Sequence, residues 1–210
     1  MELSKQKNYQ QSFDLACASI KGMNLEERAK RAGAEYQKGE AGENITVHFF
    51  SDPYHIRFPQ IEFYCPSKKV VSLVTRILLL HYLIRADGNP LTGRYVAYKD
   101  IPGGLLYAGV FARRVTEPLQ RKFGKSAKSF MEAGIRSGGK PIEVGDASFV
   151  LHAFPYVPLQ YVLWEDDEEF PTSVQLLFDA SVDHYLTLED MVVLGQVMTG
   201  RLINRSDSKS

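Results

Sequence analysis

Three polar residues near the C-terminal end of the chain have side chains suited to acid–base chemistry. Asp179, Asp183 and His184 lie within six residues of one another in the stretch FDASVDHYL. Carboxylates and an imidazole are the usual general acids and bases of enzymes, and together they also offer a weak metal site. Aspartates at this spacing also form turns, because their side chains accept hydrogen bonds from nearby backbone N–H groups. The sequence therefore leaves two alternatives, a small reactive cluster or a turn with an exposed imidazole.

Two further histidines lie in apolar surroundings. His81 falls on the buried stripe predicted for the segment KKVVSLVTRILLLHYLIRADG, and His152 lies in the apolar stretch DASFVLHAF. His81 is either a core histidine satisfied by a backbone carbonyl or a ligand to a cofactor or metal. We keep both alternatives and treat His81, His152 and His184 as candidate cofactor ligands.

Two consecutive glycines precede a predicted helix. Gly103 and Gly104 follow Pro102, and glycines at a helix N-terminus allow an anion to approach the backbone N–H groups. The alternative is a tight entry turn that needs positive φ. A phosphate loop is excluded, because the Lys-Ser/Thr pair that completes such a loop is absent. Tyr98 and Tyr107 flank the glycines, and all four residues join the candidate cofactor-binding set.

Five consecutive acids form the most charged stretch of the chain. They are Glu165, Asp166, Asp167, Glu168 and Glu169, and they separate two apolar runs, 159–164 and 174–178, that predict a hairpin. Hard cations need oxygens that converge from several directions, which a run on one loop supplies poorly. Like charges also repel and stay solvated. We therefore interpret the run as a solvated hairpin loop, or as a surface that docks a basic partner.

Composition excludes several classes of protein. The 210 residues include 25 basic and 25 acidic side chains, and this balance does not favour a nucleic-acid partner. Cys17 and Cys65 are too few for an iron–sulfur cluster or a four-thiolate metal site. Charged residues interrupt the longest apolar segment too often for a membrane span. No signal-peptide run follows the N-terminal lysines, so we expect reduced thiols in a cytoplasmic protein.

The spacing of apolar residues predicts an α+β fold, in which an antiparallel sheet is packed by several helices in a single compact domain over residues 1–203. Regions 45–65 and 147–178 supply the sheet, and residues 36–42 read as a polar connection. The polar tail, 204–210, is expected to be disordered. The predicted helices are 6–20, 25–32, 68–86 after an N-cap at Ser67, 104–122 with a break or kink at Pro118, 125–137, and 188–203 after a Thr187–Asp190 capping box.

Four phrases resemble a known family. They are LLLHYLIRADGNPLTGRYVAYKDIPGG, FGKSAKSFMEAG, VLWEDDEEFPTSVQLLFDASVDHYL and LEDMVVLG. They are similar to proteins of anaerobic bacteria and archaea catalogued as domain of unknown function 3786, and the resemblance extends from about Phe13 to Leu202. It identifies the chain as a member of that family but carries no assigned catalytic residues.

The resemblance implies a setting in anaerobic cofactor metabolism. Some members carry an added four-cysteine iron–sulfur segment of the kind found in corrinoid proteins, and this chain lacks those cysteines, so no iron–sulfur cluster is expected. The expected function is a non-catalytic accessory protein that binds a corrinoid (cobalamin) or another tetrapyrrole. One alternative is an interaction module that docks on a redox or methyl-transfer protein through the acidic loop. Another is an enzyme that uses Asp179, Asp183 and His184.

Overall fold

The described part of the chain comprises residues 2–40, 42–166 and 169–207 of a computed structural model. It forms helices and two antiparallel sheets, which confirms the predicted α+β class. The elements gather into two compact units. The first consists of Met1–Pro90, Phe154–Tyr156 and His184–Leu186, and the second of Leu91–Ala153, Val157–Asp183 and Thr187–Ser210. That the two units act as a single domain stays a prediction.

The first unit contains a four-stranded sheet in the order β1-β2-β3-β4, with every neighbouring pair antiparallel. Ile45, Val47 and Phe49 of its second strand are buried, as the sequence predicts, but Thr46 between them is buried as well. The strands are β1 (Glu35–Gly39), β2 (Gly42–Phe49), β3 (Asp52–Phe58) and β4 (Glu62–Tyr64), and the helices are α1 (Glu2–Lys21), α2 (Leu25–Arg31) and α3 (Leu73–Arg85). The sequence predicts a polar connection where the structure has strand β1. An exposed edge strand shows no alternation of apolar residues, so the sequence pattern does not reveal it.

Helix α3 begins five residues later than predicted. The predicted N-cap, Ser67, donates instead to Asp52 at 2.9 Å, and Lys68 donates to the same carboxylate at 2.6 Å. The cap is Ser72, whose hydroxyl accepts from the Thr75 N–H at 3.2 Å. Both serines have the right chemistry for a helix start, and the contact with Asp52 decides between them.

Tyr82 of α3 is the central anchor of the first unit. It is fully buried, and its ring stacks on Phe154 with centroids 4.2 Å apart. Its hydroxyl donates to the Ala32 carbonyl at 2.7 Å and accepts from the Tyr156 N–H at 3.2 Å. One side chain therefore satisfies two backbone groups and holds residues 154–156 in the first unit.

The second unit contains a five-stranded sheet in the order β5-β9-β8-β7-β6. Its strands are β5 (Tyr95–Ala97), β6 (Lys140–Pro141), β7 (Ala147–Phe154), β8 (Val157–Trp164) and β9 (Ser173–Asp179). The prediction that the two apolar regions share one sheet is wrong, because periodicity defines the faces of a strand but not its pairing partner. Strands β8 and β9 form the predicted hairpin, with Leu159 opposite Phe178 and Trp164 opposite Ser173.

The predicted helix over 104–122 is a composite. A 3₁₀ turn (Gly104–Tyr107) leads into α4 (Ala108–Phe111), a π-helical turn (Ala112–Thr116) and α5 (Glu117–Phe123). Pro118 has no N–H, so the regular hydrogen-bond ladder is interrupted there, and the wider π turn accommodates the interruption. Thr199 also donates its hydroxyl to the Val115 carbonyl within that turn, at 3.1 Å.

Two further helices complete the second unit, α6 (Ala127–Arg136) and α7 (Leu188–Asp207). The predicted capping box is confirmed, because the Asp190 N–H donates to the Thr187 hydroxyl at 3.1 Å and the Thr187 N–H to the Asp190 carboxylate at 3.2 Å. Helix α7 runs to Asp207, four residues into the predicted tail, where Arg205 donates to the Arg136 carbonyl. Residues 208–210 lie outside the described residues.

Two sequence-based exclusions can be compared with the structure. Within the described ranges, none of the helices combines the length and hydropathy that a bilayer crossing requires. Cys17 and Cys65 are both free thiols, and Cys65 is buried.

Replacing Tyr82 with phenylalanine tests its role as an anchor. We expect Tyr82→Phe to lower the free energy of unfolding by about 1–3 kcal/mol, because the Ala32 carbonyl and the Tyr156 N–H lose their buried partner. Urea unfolding measures the change. Tyr64→Phe is the matched control, since Tyr64 of β4 is an exposed tyrosine. An equal loss in both variants would show that the Tyr82 hydroxyl has no special role.

Candidate functional site

His184 lies in a polar cluster of the first unit. Its Nδ1 is 2.6 Å from Oδ2 of Asp87, and the same carboxylate accepts from the Asn89 backbone N–H at 3.0 Å and from the Asn89 side-chain amide at 3.1 Å. Burial raises the pKa of Asp87, but the hydrogen bonds from Asn89 and His184 lower it by more, so the pKa lies below its ordinary value. An ionised Asp87 therefore orients the His184 ring, and both side chains are half-exposed.

Asp179 has a structural role in the second unit. Its carboxylate accepts from the Thr92 N–H and hydroxyl at 3.0 and 2.9 Å and from the Gly93 N–H at 2.7 Å. It also accepts from the Ser181 N–H and hydroxyl at 3.0 and 2.7 Å. Burial raises the pKa of Asp179, but the bonds from Ser181 and Thr92 lower it by more, so the pKa lies below its ordinary value. Asp179 is buried and forms a turn, which was the alternative to a reactive acid–base cluster.

The structure does not assemble the predicted acid–base set. Asp179 and His184 belong to different units, and each is hydrogen-bonded within its own unit. Asp183 is half-buried in the 3₁₀ turn Val182–His184. Within the part of the chain that the structure describes, no group of three or more His, Cys, Asp or Glu side chains could hold a metal ion.

The other two candidate histidines also have separate surroundings. His81 is half-buried on α3, and its Nε2 lies 3.5 Å from the Ser12 hydroxyl of α1. His152 is exposed on β7, in the second unit. The three histidines therefore lie on different elements with different neighbours. Binding of a corrinoid or another tetrapyrrole stays a prediction.

The two glycines before α4 form the tight turn that was the alternative to an anion site. Gly103 has φ 82°, and a Cβ on Gly104 would lie 1.9 Å from the Tyr98 carbonyl oxygen. The Gly104 N–H already donates to the Ile101 carbonyl at 2.8 Å, so it is not available to an anion. Tyr98 is buried against Phe111, with centroids 4.3 Å apart, and acts as a core residue. Tyr107, on the other side of the glycines, is exposed.

The second unit has an open groove of about 810 Å³ beside the acidic loop. One wall is α5 and the residues that follow it, and the other is the loop between β8 and β9. We call this feature the loop groove. It is lined by Glu117, Gln120, Arg121, Lys122, Gly124, Lys125, Asp166, Glu169, Phe170, Pro171 and Thr172.

Hydrogen bonds hold the two walls of the loop groove together. The Thr172 hydroxyl donates to the Gly124 carbonyl at 2.8 Å, and the Gln120 side-chain amide donates to the Thr172 carbonyl. A Cβ on Gly124 would lie 2.5 Å from the Gln120 carbonyl oxygen and 2.8 Å from the Thr172 side chain. Helix α5 and the loop therefore meet in close contact, which only glycine allows at position 124.

The five acids of the loop have different roles. The Glu165 carboxylate accepts from the Ala127 N–H at 2.6 Å at the start of α6, where a negative charge is favourable. Asp166 and Glu169 line the loop groove. Asp167 and Glu168 lie outside the described residues. Glu165 is thus engaged in capping α6, and the docking role predicted for the run is left to the acids that follow it.

Sequence reasoning found the acidic wall of the loop groove and missed the basic one. Arg121, Lys122 and Lys125 stand together in the stretch RKFGK, more than 40 positions before the loop. Their clustering in the sequence could have predicted a basic surface. Nothing in the sequence indicates that this stretch contacts the loop through Thr172 and Gly124.

The comparison with known families agrees with the resemblance found in the sequence. The sequence profile of the family described as a domain of unknown function (DUF3786) matches residues 24–201. The match covers most of the chain, which therefore belongs to this family. No curated protein and no solved structure matches the chain significantly.

Replacing Asp179 with asparagine tests the turn and its pH dependence. We expect Asp179→Asn to lower the free energy of unfolding at pH 7 by about 1.5–3 kcal/mol, the usual contribution of hydrogen bonds to a charged group. The folded-state pKa lies below the unfolded value of about 3.9, so the carboxylate stabilises the fold above pH 4. That contribution is lost as the pH falls through the folded-state pKa. The difference between wild type and variant should therefore narrow at pH 3 in urea unfolding.

Asp100→Asn is the matched control, because Asp100 is exposed and should change stability by less than about 0.5 kcal/mol. A difference between wild type and Asp179→Asn that is the same at pH 7 and pH 3 would contradict the proposed role of the ionised carboxylate.

Proposed function

We propose that this member of the DUF3786 family is a protein-interaction module whose loop groove receives a basic, partly apolar segment of a partner protein. The observation that carries the proposal is Phe170, which lies on the loop groove and leaves 67% of its side chain exposed. A large aromatic side chain held at the surface, with charged residues around it, is typical of a binding hot spot.

The charges of the loop groove favour one orientation of a bound segment. Asp166 and Glu169 stand on the loop wall, and the sequence places two more acids between them. On the other wall, Arg121 lies 3.6 Å from Glu117 and is partly neutralised by it. Cations of the partner are attracted to the loop wall. Exposed pairs of this kind contribute more to orientation and association rate than to affinity.

The floor of the loop groove is preorganised. Thr172 is bonded to both Gly124 and Gln120, so the approach of α5 to the loop is set before any partner arrives. A rigid receiving surface loses little conformational entropy on binding, which favours affinity at a given contact area. Phe170 and Pro171 then supply the apolar part of the contact.

The lining suits a polypeptide better than a macrocycle. Pockets that hold small cofactors are mostly apolar, with a few placed polar groups. Six of the residues that line the loop groove are charged, namely Glu117, Arg121, Lys122, Lys125, Asp166 and Glu169. That the partner is a redox or methyl-transfer protein stays a prediction from the family resemblance.

Fluorescence polarisation with two labelled peptides tests the proposal. The peptides have the same length and leucine positions. The lysine peptide (lysine–leucine peptide) carries lysines where the glutamate peptide (glutamate–leucine peptide) carries glutamates. We expect the lysine peptide to bind the wild type. The double variant Asp166→Lys/Glu169→Lys should bind it at least about tenfold more weakly, a loss of about 1.4 kcal/mol of binding free energy. Phe170→Ala should weaken binding of the lysine peptide about thirtyfold or more, since the truncation of a hot-spot residue costs about 2 kcal/mol or more. Added salt should weaken binding to the wild type.

Glu132→Lys is the matched control for charge reversal. Glu132 is an exposed acid of α6 that lies near Arg136 and is not part of the loop groove. Binding of the lysine peptide that Asp166→Lys/Glu169→Lys leaves unchanged would contradict the proposal. So would an affinity that Glu132→Lys reduces as much as the double loop variant does.

A further inference from the structure

A second exposed surface of the same unit has the opposite character. Leu105, Leu106 and Tyr107 leave 72%, 84% and 54% of their side chains exposed, although Ile101 before them and Phe111 after them are buried. Three consecutive large apolar side chains at the surface form a contiguous patch, unlike single exposed leucines, which are common.

The exposure of these side chains follows from a rigid backbone. The turn is fixed by the contact of Gly104 with the Tyr98 carbonyl, and the Tyr98 hydroxyl donates to the Leu188 carbonyl at 3.2 Å. At the other end, Phe111 packs edge-on against Phe178 of β9, with centroids 6.0 Å apart. The three side chains between these anchors are therefore held outward by the fold itself.

The patch continues along the outer face of the helix that follows. After Leu106, Gly109 and Arg113 are exposed and Val110 is half-buried, while Phe111 and Val115 face the core. Gly109 has no atom within 4 Å of the place a Cβ would occupy, so the fold has no steric need for glycine there. Glycine on an outward face allows another backbone to approach closely. We call the surface formed by residues 105–110 and 113–114 the turn face.

The charges on the chain segment that forms the turn face are mainly positive, and exposed Glu189 follows Leu188, which contacts Tyr98. The stretch 99–114 contains three cations, Lys99, Arg113 and Arg114, and a single acid, Asp100. All four are exposed. An apolar centre with a basic border complements a surface with an apolar cleft and carboxylates around it.

We infer that the turn face is a second docking surface, and that it binds a protein with an apolar cleft bordered by carboxylates. This inference extends the proposed function to a second surface and does not depend on the loop groove, since the two surfaces select partners of opposite charge. A lipid surface fits less well, because three apolar side chains make a small anchor and the chain has a formal net charge of +0.

The same peptide pair tests the turn face with different variants. The glutamate–leucine peptide should bind the wild-type chain, and Leu106→Asp should weaken that binding tenfold or more. The double variant Arg113→Glu/Arg114→Glu should do the same. Both changes are at exposed positions, so circular dichroism and the melting temperature should stay close to those of the wild type.

Glycine substitutions separate binding from stability. Gly109→Gln should raise the melting temperature, because glutamine is the better helix former. It should still weaken binding of the glutamate–leucine peptide fivefold or more, because the glutamine side chain blocks close approach of a partner. Gly200→Gln is the matched control, since Gly200 is also a helical glycine with open space around it. It should raise the melting temperature and leave peptide binding unchanged.

Several outcomes would overturn the inference. One is a glutamate–leucine peptide that does not bind the wild type, or that binds Leu106→Asp as tightly as the wild type. Self-association of the wild type that Leu106→Asp abolishes would make a second copy the occupant instead. Binding to phosphatidylglycerol vesicles that Leu106→Asp abolishes, without peptide binding, would make a lipid surface the occupant.

The experiment can contradict the proposal for the loop groove and the proposal for the turn face independently. Loss of the lysine–leucine interaction in Asp166→Lys/Glu169→Lys, with the glutamate–leucine interaction intact, supports both surfaces. A chain that binds only the glutamate–leucine peptide contradicts the proposed use of the loop groove and supports the turn face. A chain that binds only the lysine–leucine peptide contradicts the turn face and leaves the loop groove supported.

Discussion

The pairing of β8 with β9 is the constraint on which the second unit depends. The two strands lie next to each other inside the five-stranded sheet, and most of their residues are buried, so a shift of register by one residue would expose the core. One end of this hairpin presents the acidic loop. The outer edge of β9 pairs with β5, where Ala97 lies opposite Leu177, and the chain passes from there directly into Tyr98 and the glycine turn. The loop groove and the turn face are therefore both positioned by one hairpin.

Much of the local structure could be predicted from the sequence, because it depends on neighbouring residues. The capping box at Thr187, the Asn24 cap of α2 and the β8–β9 hairpin are all present in the structure. The errors arose where distant contacts decide. Ser67 is a good N-cap by type, yet Asp52 engages it, and α3 begins after Ser72. The composite helix around Pro118 likewise depends on Thr199, more than 80 positions away.

The candidate site was harder to predict, because residue type does not determine surroundings. Histidines were chosen as cofactor ligands for their chemistry, but His81 lies beside Ser12, His184 is oriented by Asp87, and His152 is at the surface. The acidic run was predicted to be a solvated hairpin loop or a docking surface, yet its first member accepts a hydrogen bond at the start of a helix. What gives the loop its shape is the contact of Thr172 with Gly124, which no periodicity in the sequence announces.

The most direct test of the central claim is an amide chemical-shift map of the whole chain, recorded while the lysine–leucine peptide is added. The account predicts that the amides of residues 120–125 and 169–172 shift together with one saturation curve, and that those around His81 and His184 stay unchanged. Shifts that gather around the histidines, or that spread over the surface without saturating, would contradict the account of this chain as an interaction module that works through the loop groove.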